Sequence, residues 1–450
     1  MKLNKTITAL ALAMGLASVS QADNAIYITG STAFRAQIYQ ALTDLGVVQK
    51  QAPNSNTRYY SGTVKALNDD PGYGANLSAG SVVDAYCSFS GSGGGIYSLV
   101  NSSSPTYVDV NGNNTTCAWG ADVTFSDVDQ TTVPYNLVPK HKALGEISSV
   151  DGGNSSYGSG CAVVCWCWAA SVDCANLAIN TTGPITDLTP GEMSDLLKNG
   201  WEFQSIMTGN TTAPNNAGAK PALNGDVYLT GRSYDSGTRI TAELLTGWDP
   251  ATAIGTVYTI NGGDGTPPGS GTFQVDNLTT QGPAGYDGYT SGGNVVLALN
   301  EAGAGMAVSY VAFTDAEAYG ANPYPGTPAA CLTGGAIPLN FWGVSPLTVP
   351  VTSFVANDAV NGKWNFAAIE SGQYPFWSYE HCYFSAHDKA AGNWVQFTFM
   401  PDLIAELQYE IVNPALIPGG GGTKFQQAAD LIKNLQVHRQ GDGGPILQGN

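Results

Sequence analysis

Arg232 stands four residues ahead of Ser236-Gly237-Thr238, in a turn between the β-rich run Val227-Tyr228-Leu229-Thr230 and a segment with Ile240, Leu244 and Leu245 at helical spacing. A strand that passes through a small, hydroxyl-bearing turn into a helix leaves backbone N–H groups and the positive end of the helix dipole at the strand's carboxyl edge. An oxyanion can approach such a turn closely, and Arg232 adds a planar, always-charged fork that matches its oxygens. The pattern occurs twice more. Ala25–Thr29 leads through Gly30-Ser31-Thr32 to Ile38, Tyr39, Leu42 and Leu45, and Val82–Phe89 leads through Ser90-Gly91-Ser92-Gly93-Gly94-Gly95 to Ile96, Leu99 and Val100. A plain tight turn would account for any one of these, since the 450-residue chain holds 56 Gly; together they share one chemical consequence.

Strands alternating with helices argue for an α/β protein. Thr189-Pro190-Gly191-Glu192 reads as a capping box with Pro at the first helical position, ahead of Met193, Leu196 and Leu197. Trp166 and Trp168 alternate with Cys165 and Cys167 on an apolar run predicted to be a buried strand. Phe425, Ala428, Leu431, Ile432 and Leu435 predict a terminal amphipathic helix. The Gly/Ser/Asn/Thr-rich stretches near 101–116, 151–160, 209–222, 261–293 and 320–335 read as surface loops.

Composition narrows the class. The chain is 43% hydrophobic and 12% charged, enough for sizeable cores and unlike a disordered chain; its length suggests two to three domains. Residues 1–22 read as an export leader: Lys2 and Lys5, an apolar run from Ile7 to Val19, then Ser20-Gln21-Ala22 with small residues where a signal peptidase cuts. Its removal deletes two Lys and no acid, taking the net charge from −18 to −20. That charge disfavours a nucleic-acid or anionic-membrane footprint, so any anion site is local. No other stretch is long and apolar enough to span a membrane. An exported chain with eight cysteines (Cys87, Cys117, Cys161, Cys165, Cys167, Cys174, Cys331, Cys382) is expected to form disulfides. Cys87 with Cys117, Cys331 with Cys382, and pairing within the 161–174 cluster are the expected sets. That cluster lacks the paired C-x2-C spacing of common zinc sites.

Taken in order, these segments resemble the phosphate-binding proteins of ABC-type phosphate importers, in the two-lobed periplasmic binding class. The resemblance is carried by Gly30-Ser31-Thr32-Ala33-Phe34, the Gly91–Gly95 loop, Phe125-Ser126-Asp127 and Arg232-x-x-x-Ser236-Gly237-Thr238. Gly372-Gln373-Tyr374-Pro375-Phe376-Trp377 is similar to a further segment, and Val308-Ser309-Tyr310-Val311 looks like the strand returning to the first lobe. The chain differs from the pattern at Ala33, where the family usually has Thr, and at Tyr234 and Asp235, where it has Asp and Gly. The resemblance implies a lobe formed by 23–160 with 306–450, a second lobe formed by 161–305, and a ligand cleft between them. It implies ligand contacts from Thr32, the Ala33 and Phe34 N–H groups, Ser92 and Asp127 on one lobe, and Arg232, Ser236, Gly237 and Thr238 on the other. Inorganic phosphate is then the expected ligand, handed to a membrane importer by an exported monomer with no cofactor or metal and no enzymatic role.

In such a site Asp127 would select the ligand. An ionised carboxylate only accepts hydrogen bonds, so it tolerates hydrogen phosphate, which carries a proton, and repels sulfate, which does not. Asp127 as a simple turn cap is the plainer alternative. Two other functions are open: an extracellular phosphate-ester hydrolase on a similar cleft, and a secreted acidic structural protein with a vestigial one. The hydrolase lacks support, since Ser236 has no His placed to serve it and no Gly-x-Ser-x-Gly elbow, and His381 beside Cys382 does not face it. His141, His387 and His438 match no metal spacing, and the acidic pairs support no calcium loop.

Overall fold

The computed structural model describes residues 24–65, 81–133, 144–146, 160–171, 174, 184–211, 226–248, 257–260, 275–277, 288–301, 306–313, 315–316, 337–348, 364–384, 399–400, 402–404, 407, 435–439 and 445–448. The export leader, Cys331, His141, His387 and nearly all of the expected terminal helix lie outside these. The chain opens with β1 (Asn24–Gly30), α1 (Arg35–Asp44), β2 (Val48–Gln51), β3 (Thr57–Thr63), β4 (Val82–Ser88) and α2 (Ser92–Asn101). There follow β5 (Tyr107–Val108), β6 (Asn114–Thr115), β7 (Val123–Ser126), β8 (Gly145–Glu146), β9 (Ala162–Ala170), β10 (Asp187–Leu188) and α3 (Pro190–Asn199). Next come β11 (Trp201–Phe203), α4 (Gln204–Thr208), β12 (Asp226–Leu229), α5 (Gly237–Leu245), β13 (Tyr258–Ile260), β14 (Val275–Asn277) and α6 (Gly292–Glu301). The described chain closes with β15 (Ala307–Ala312), β16 (Ile337–Pro338), β17 (Asn340–Phe341), α7 (Phe366–Glu370), β18 (Trp377–Phe384), β19 (Val437–Arg439) and β20 (Ile446–Gln448). It is a mixed α/β protein, and the three strand-turn-helix units fall where the sequence pattern puts them.

One sheet path, β11-β12-β15-β9-β18-β7-β1-β4-β3-β2, carries the architecture. At one end β7, β1 and β4 are mutually parallel; towards the other, β12 and β15 are parallel to each other. Two long antiparallel strands, β9 and β18, join these groups. Their overlap is short: Ala162–Cys165 pair with Glu380–Trp377. Beyond it β18 pairs with β7, His381 lying level with Ser126, and β9 pairs with β15, Trp166 lying level with Ala312. The carboxyl ends of the two parallel groups therefore point at each other across the overlap, separated along the β9/β18 ribbon by about five residues, or ~16 Å. This register makes a gap into which both sets of helix N-termini are aimed.

The expected return strand Val308–Val311 belongs to β15, which pairs with β12 and β9; the strand that reaches β7 is β18. Its β-rich composition predicts a strand and leaves the partner open, because pairing is set by contacts remote in sequence. Burial explains the composition of the joining strands. Every residue of β9, β15 and β18 is buried, and both faces of a central strand need apolar cover. Trp166 and Trp168 pack on Phe376 at ring-centroid distances of 5.6 and 6.2 Å. Among the described residues no helix is long and apolar enough to cross a membrane.

The cysteines correct the sequence expectation. All seven described cysteines are buried and no disulfide joins any two of them, while the expected Cys331–Cys382 pair reaches outside the described residues. The expected Cys87–Cys117 bond is not formed, and with Tyr86 stacked on Tyr27, strand alternation turns Cys87 to the opposite face of β4. Cys165 and Cys167 sit two apart on one face of β9, too far along the strand to close a bond, and burial pushes both thiols up.

Candidate functional site

The first parallel group brings three turns to one edge. Gly30, with φ of +120°, lets β1 turn sharply where a Cβ would run into the Phe125 carbonyl oxygen. The Ser31 N–H donates to that carbonyl at 2.8 Å, and the Gly91 N–H donates to Gly30 O at 2.9 Å, so the β1, β4 and β7 exits are stitched side by side. Ser92 is then the first residue of α2, and its Oγ accepts from the Asp127 N–H at 3.3 Å. Ser92 and Asp127 are both buried. The Ala33 and Phe34 N–H groups, expected to face a ligand, donate to Ser31 Oγ at 3.1 and 3.3 Å. Thr32 is buried and its carbonyl accepts from Arg35.

From the second group, β12 runs into Arg232, whose buried guanidinium donates through Nε to Tyr289 O and through Nη2 to Thr290 O, both at 3.0 Å. These carbonyls aim the fork. Arg239 holds it from behind, donating from Nη1 to Arg232 O at 3.1 Å while pairing with Glu243 at 3.0 Å. Burial pulls the Arg232 pKa below its ordinary value, with Arg35 acting the same way; Asp315, Asp235 and Asp127 pull against it. An arginine so shifted is still charged at neutral pH. Ser236, the N-cap of α5, is buried and its side chain makes no capping bond. Helix α3 is different: Thr189 and Glu192 close a full capping box there.

The two groups meet at these residues. A Cβ on Gly237 would overlap Asp127 Oδ1 and fall 2.5 Å from both Asp127 Cγ and Ser92 Oγ, so the start of α5 is seated on the Ser92–Asp127 pair. The Gly93 N–H donates to Asp235 O at 2.8 Å across the same contact. Beside it a small apolar cluster contains Ile96, Leu99, Val128 and Tyr383 together with Tyr234 and Ile240. Ser92, Asp127, Ser236, Gly237 and Thr238 are thus gathered at one place, with Arg232 in electrostatic reach of Asp127. Thr32, Ala33 and Phe34 line the adjacent edge and reach the second group through Arg35, which lies 4.0 Å from Asp315.

The chain is similar in structure to solved phosphate-importer binding proteins. A phosphate ABC transporter substrate-binding protein from Clostridium perfringens with bound phosphate matches at a TM-score of 0.39 and 10% identity, covering 95% of this chain and 100% of its own. PstS from Borrelia burgdorferi matches at a TM-score of 0.33 and 12% identity, covering 85% and 97%. No protein-family profile matches the chain, and no curated protein matches it.

Sequence reasoning missed Ser31, Arg35, Arg239, Asp315 and the Tyr289–Thr290 carbonyls. For Arg35 a signal was available, a cation in the first turn of α1, where the dipole disfavours it. Asp315 gave none, because its neighbours arrive from remote parts of the chain.

Proposed function

We propose that this protein captures inorganic phosphate between two lobes, one built on β2-β3-β4-β1-β7 and the other on β15-β12-β11, with β9 and β18 as the crossing segments. The observation that carries this reading is the seat of α5 on Ser92 and Asp127, with buried Arg232 beside it. Two N-termini without a side-chain cap, α2 and α5, face one another there with a guanidinium and several hydroxyls, which is a donor set for a tetrahedral oxyanion. Asp127 turns that set towards a ligand that brings its own proton, hence phosphate over sulfate. Delivery to an ABC-type importer by an exported protein follows from the sequence resemblance. Hinging at the β9/β18 overlap would open and close the cleft.

Isothermal titration of phosphate-stripped protein at neutral pH tests the reading. Phosphate should bind with a single-site isotherm and sulfate at the same concentration should neither bind nor compete. Equal binding of sulfate, or no binding of either, overturns it.

A further inference from the structure

Arg35 and Asp315 lie outside the expected ligand set. Arg35 opens α1 in the first strand group; Asp315 follows β15 in the second. Their side chains are only 11% and 8% exposed and lie 4.0 Å apart, bridging the two groups at a second point besides the Gly93–Asp235 bond. Both are fixed by their surroundings. Arg35 also donates to Thr32 O, and Asp315 is pressed against the first residue of α6, where a Cβ on Gly292 would overlap Oδ2 and fall 2.9 Å from Cγ. The α6 N-terminus thereby orients the carboxylate and leaves it facing the first group. Asp315 also sits within electrostatic reach of Arg232, itself tied to Thr290 next to α6.

From this geometry we infer that Arg35 and Asp315 are positioning residues that latch the closed cleft and set the distance at which Arg232 faces Asp127. The latch rests on the two-lobed cleft proposed above and not on the identity of its ligand. A shielded pair of opposite charge loses attraction steeply when separated into water, so breaking it shifts the balance towards the open form.

The test uses amide hydrogen exchange of the full chain in anion-poor buffer, read at single-residue resolution by mass spectrometry. The Gly93 N–H bonds across the lobes to Asp235 O, whereas the Gly95 N–H bonds within its own loop to Gly91 O. Opening therefore exposes Gly93 and spares Gly95. Arg35→Gln and Asp315→Asn should each speed exchange at Gly93 by about fivefold, equivalent to ~1 kcal/mol. The double variant should be no faster than either single, and Arg35→Lys should keep most of the protection. Unchanged exchange in the single variants, a double variant whose effect is the product of the two, or parallel loss at Gly95 overturns the latch. Because no phosphate is added, a protein that fails to bind phosphate can still show the coupling, and a phosphate binder without it loses only the latch.

Discussion

Gly237→Ala adds one methyl group at the point where the two strand groups touch. The new Cβ would stand 2.1 Å from Asp127 Oδ1 and 2.5 Å from both Asp127 Cγ and Ser92 Oγ, and ordinary contact begins at 3.4 Å. Asp127 is held at the end of β7 and Ser92 in the first turn of α2, so neither gives way easily. The lobes must separate locally by about 1.3 Å. That stretches the Gly93–Asp235 bond from 2.8 Å to about 4.1 Å, beyond hydrogen-bonding distance. The same displacement moves Arg232 off a ligand held by the first lobe, at the loss of roughly one charge-assisted bond, about 1–3 kcal/mol or ~5- to 100-fold in phosphate affinity. Helix α5 itself gains from the change, since Ala outranks Gly in helix propensity by up to ~1 kcal/mol. The melting temperature should therefore hold within about 3 °C while titration calorimetry reports the weaker binding. Gly191→Ala, also in the first turn of a helix, is the matched control, because its only neighbour is Thr189 Oγ1 at 3.9 Å. Wild-type affinity in Gly237→Ala, or an equal loss in Gly191→Ala, would refute the reasoning.

Arg232→Ala removes the site's buried fork and should weaken phosphate by more than tenfold, about 2–5 kcal/mol, as read by calorimetry; an unchanged constant excludes Arg232 from the site. Asp127→Asn exchanges an acceptor oxygen for a donor and removes a charge, so phosphate should stay within about 1–3 kcal/mol while sulfate begins to compete; continued sulfate rejection would show that another group discriminates. Burial raises the phenols of Tyr27, Tyr59 and Tyr60 to about 12, so their contribution to stability is whole below the unfolded value near 10 and fades as pH rises through about 12. Absorbance at 295 nm, compared between wild type and the Tyr27→Phe, Tyr59→Phe and Tyr60→Phe variants and followed with circular dichroism, should lose amplitude only there, and amplitude lost near pH 10 in folded protein would contradict the burial. Maleimide should leave the seven described cysteines unlabelled in native protein and label them all after guanidinium, and a disulfide found among them by non-reducing peptide mapping would count against the packing described.

Local chemistry decides local structure, and there the sequence was sufficient. The three strand-turn-helix units, the capping box at Thr189 and the doubly buried run around Trp166 are written in periods of two and 3.6 residues and in the turn residues between them. The turns that hold Ser92, Arg232 and Ser236–Thr238 were legible for the same reason, in small and hydroxyl-bearing residues at a strand exit, whereas Asp127 was singled out by the family resemblance. Distance along the chain hid the rest. That β15 stays with β12, and that β18 is the strand reaching β7, depends on which hydrogen-bonding edges meet after folding. That no disulfide joins Cys87 to Cys117 depends on how the folded chain places them, which cysteine counting does not see. Gly237 looks like any other turn glycine until Asp127, more than a hundred residues earlier, is placed against it, and Asp315 acquires Arg35 only because the two parallel groups point their carboxyl ends at one another across a four-residue overlap of β9 and β18.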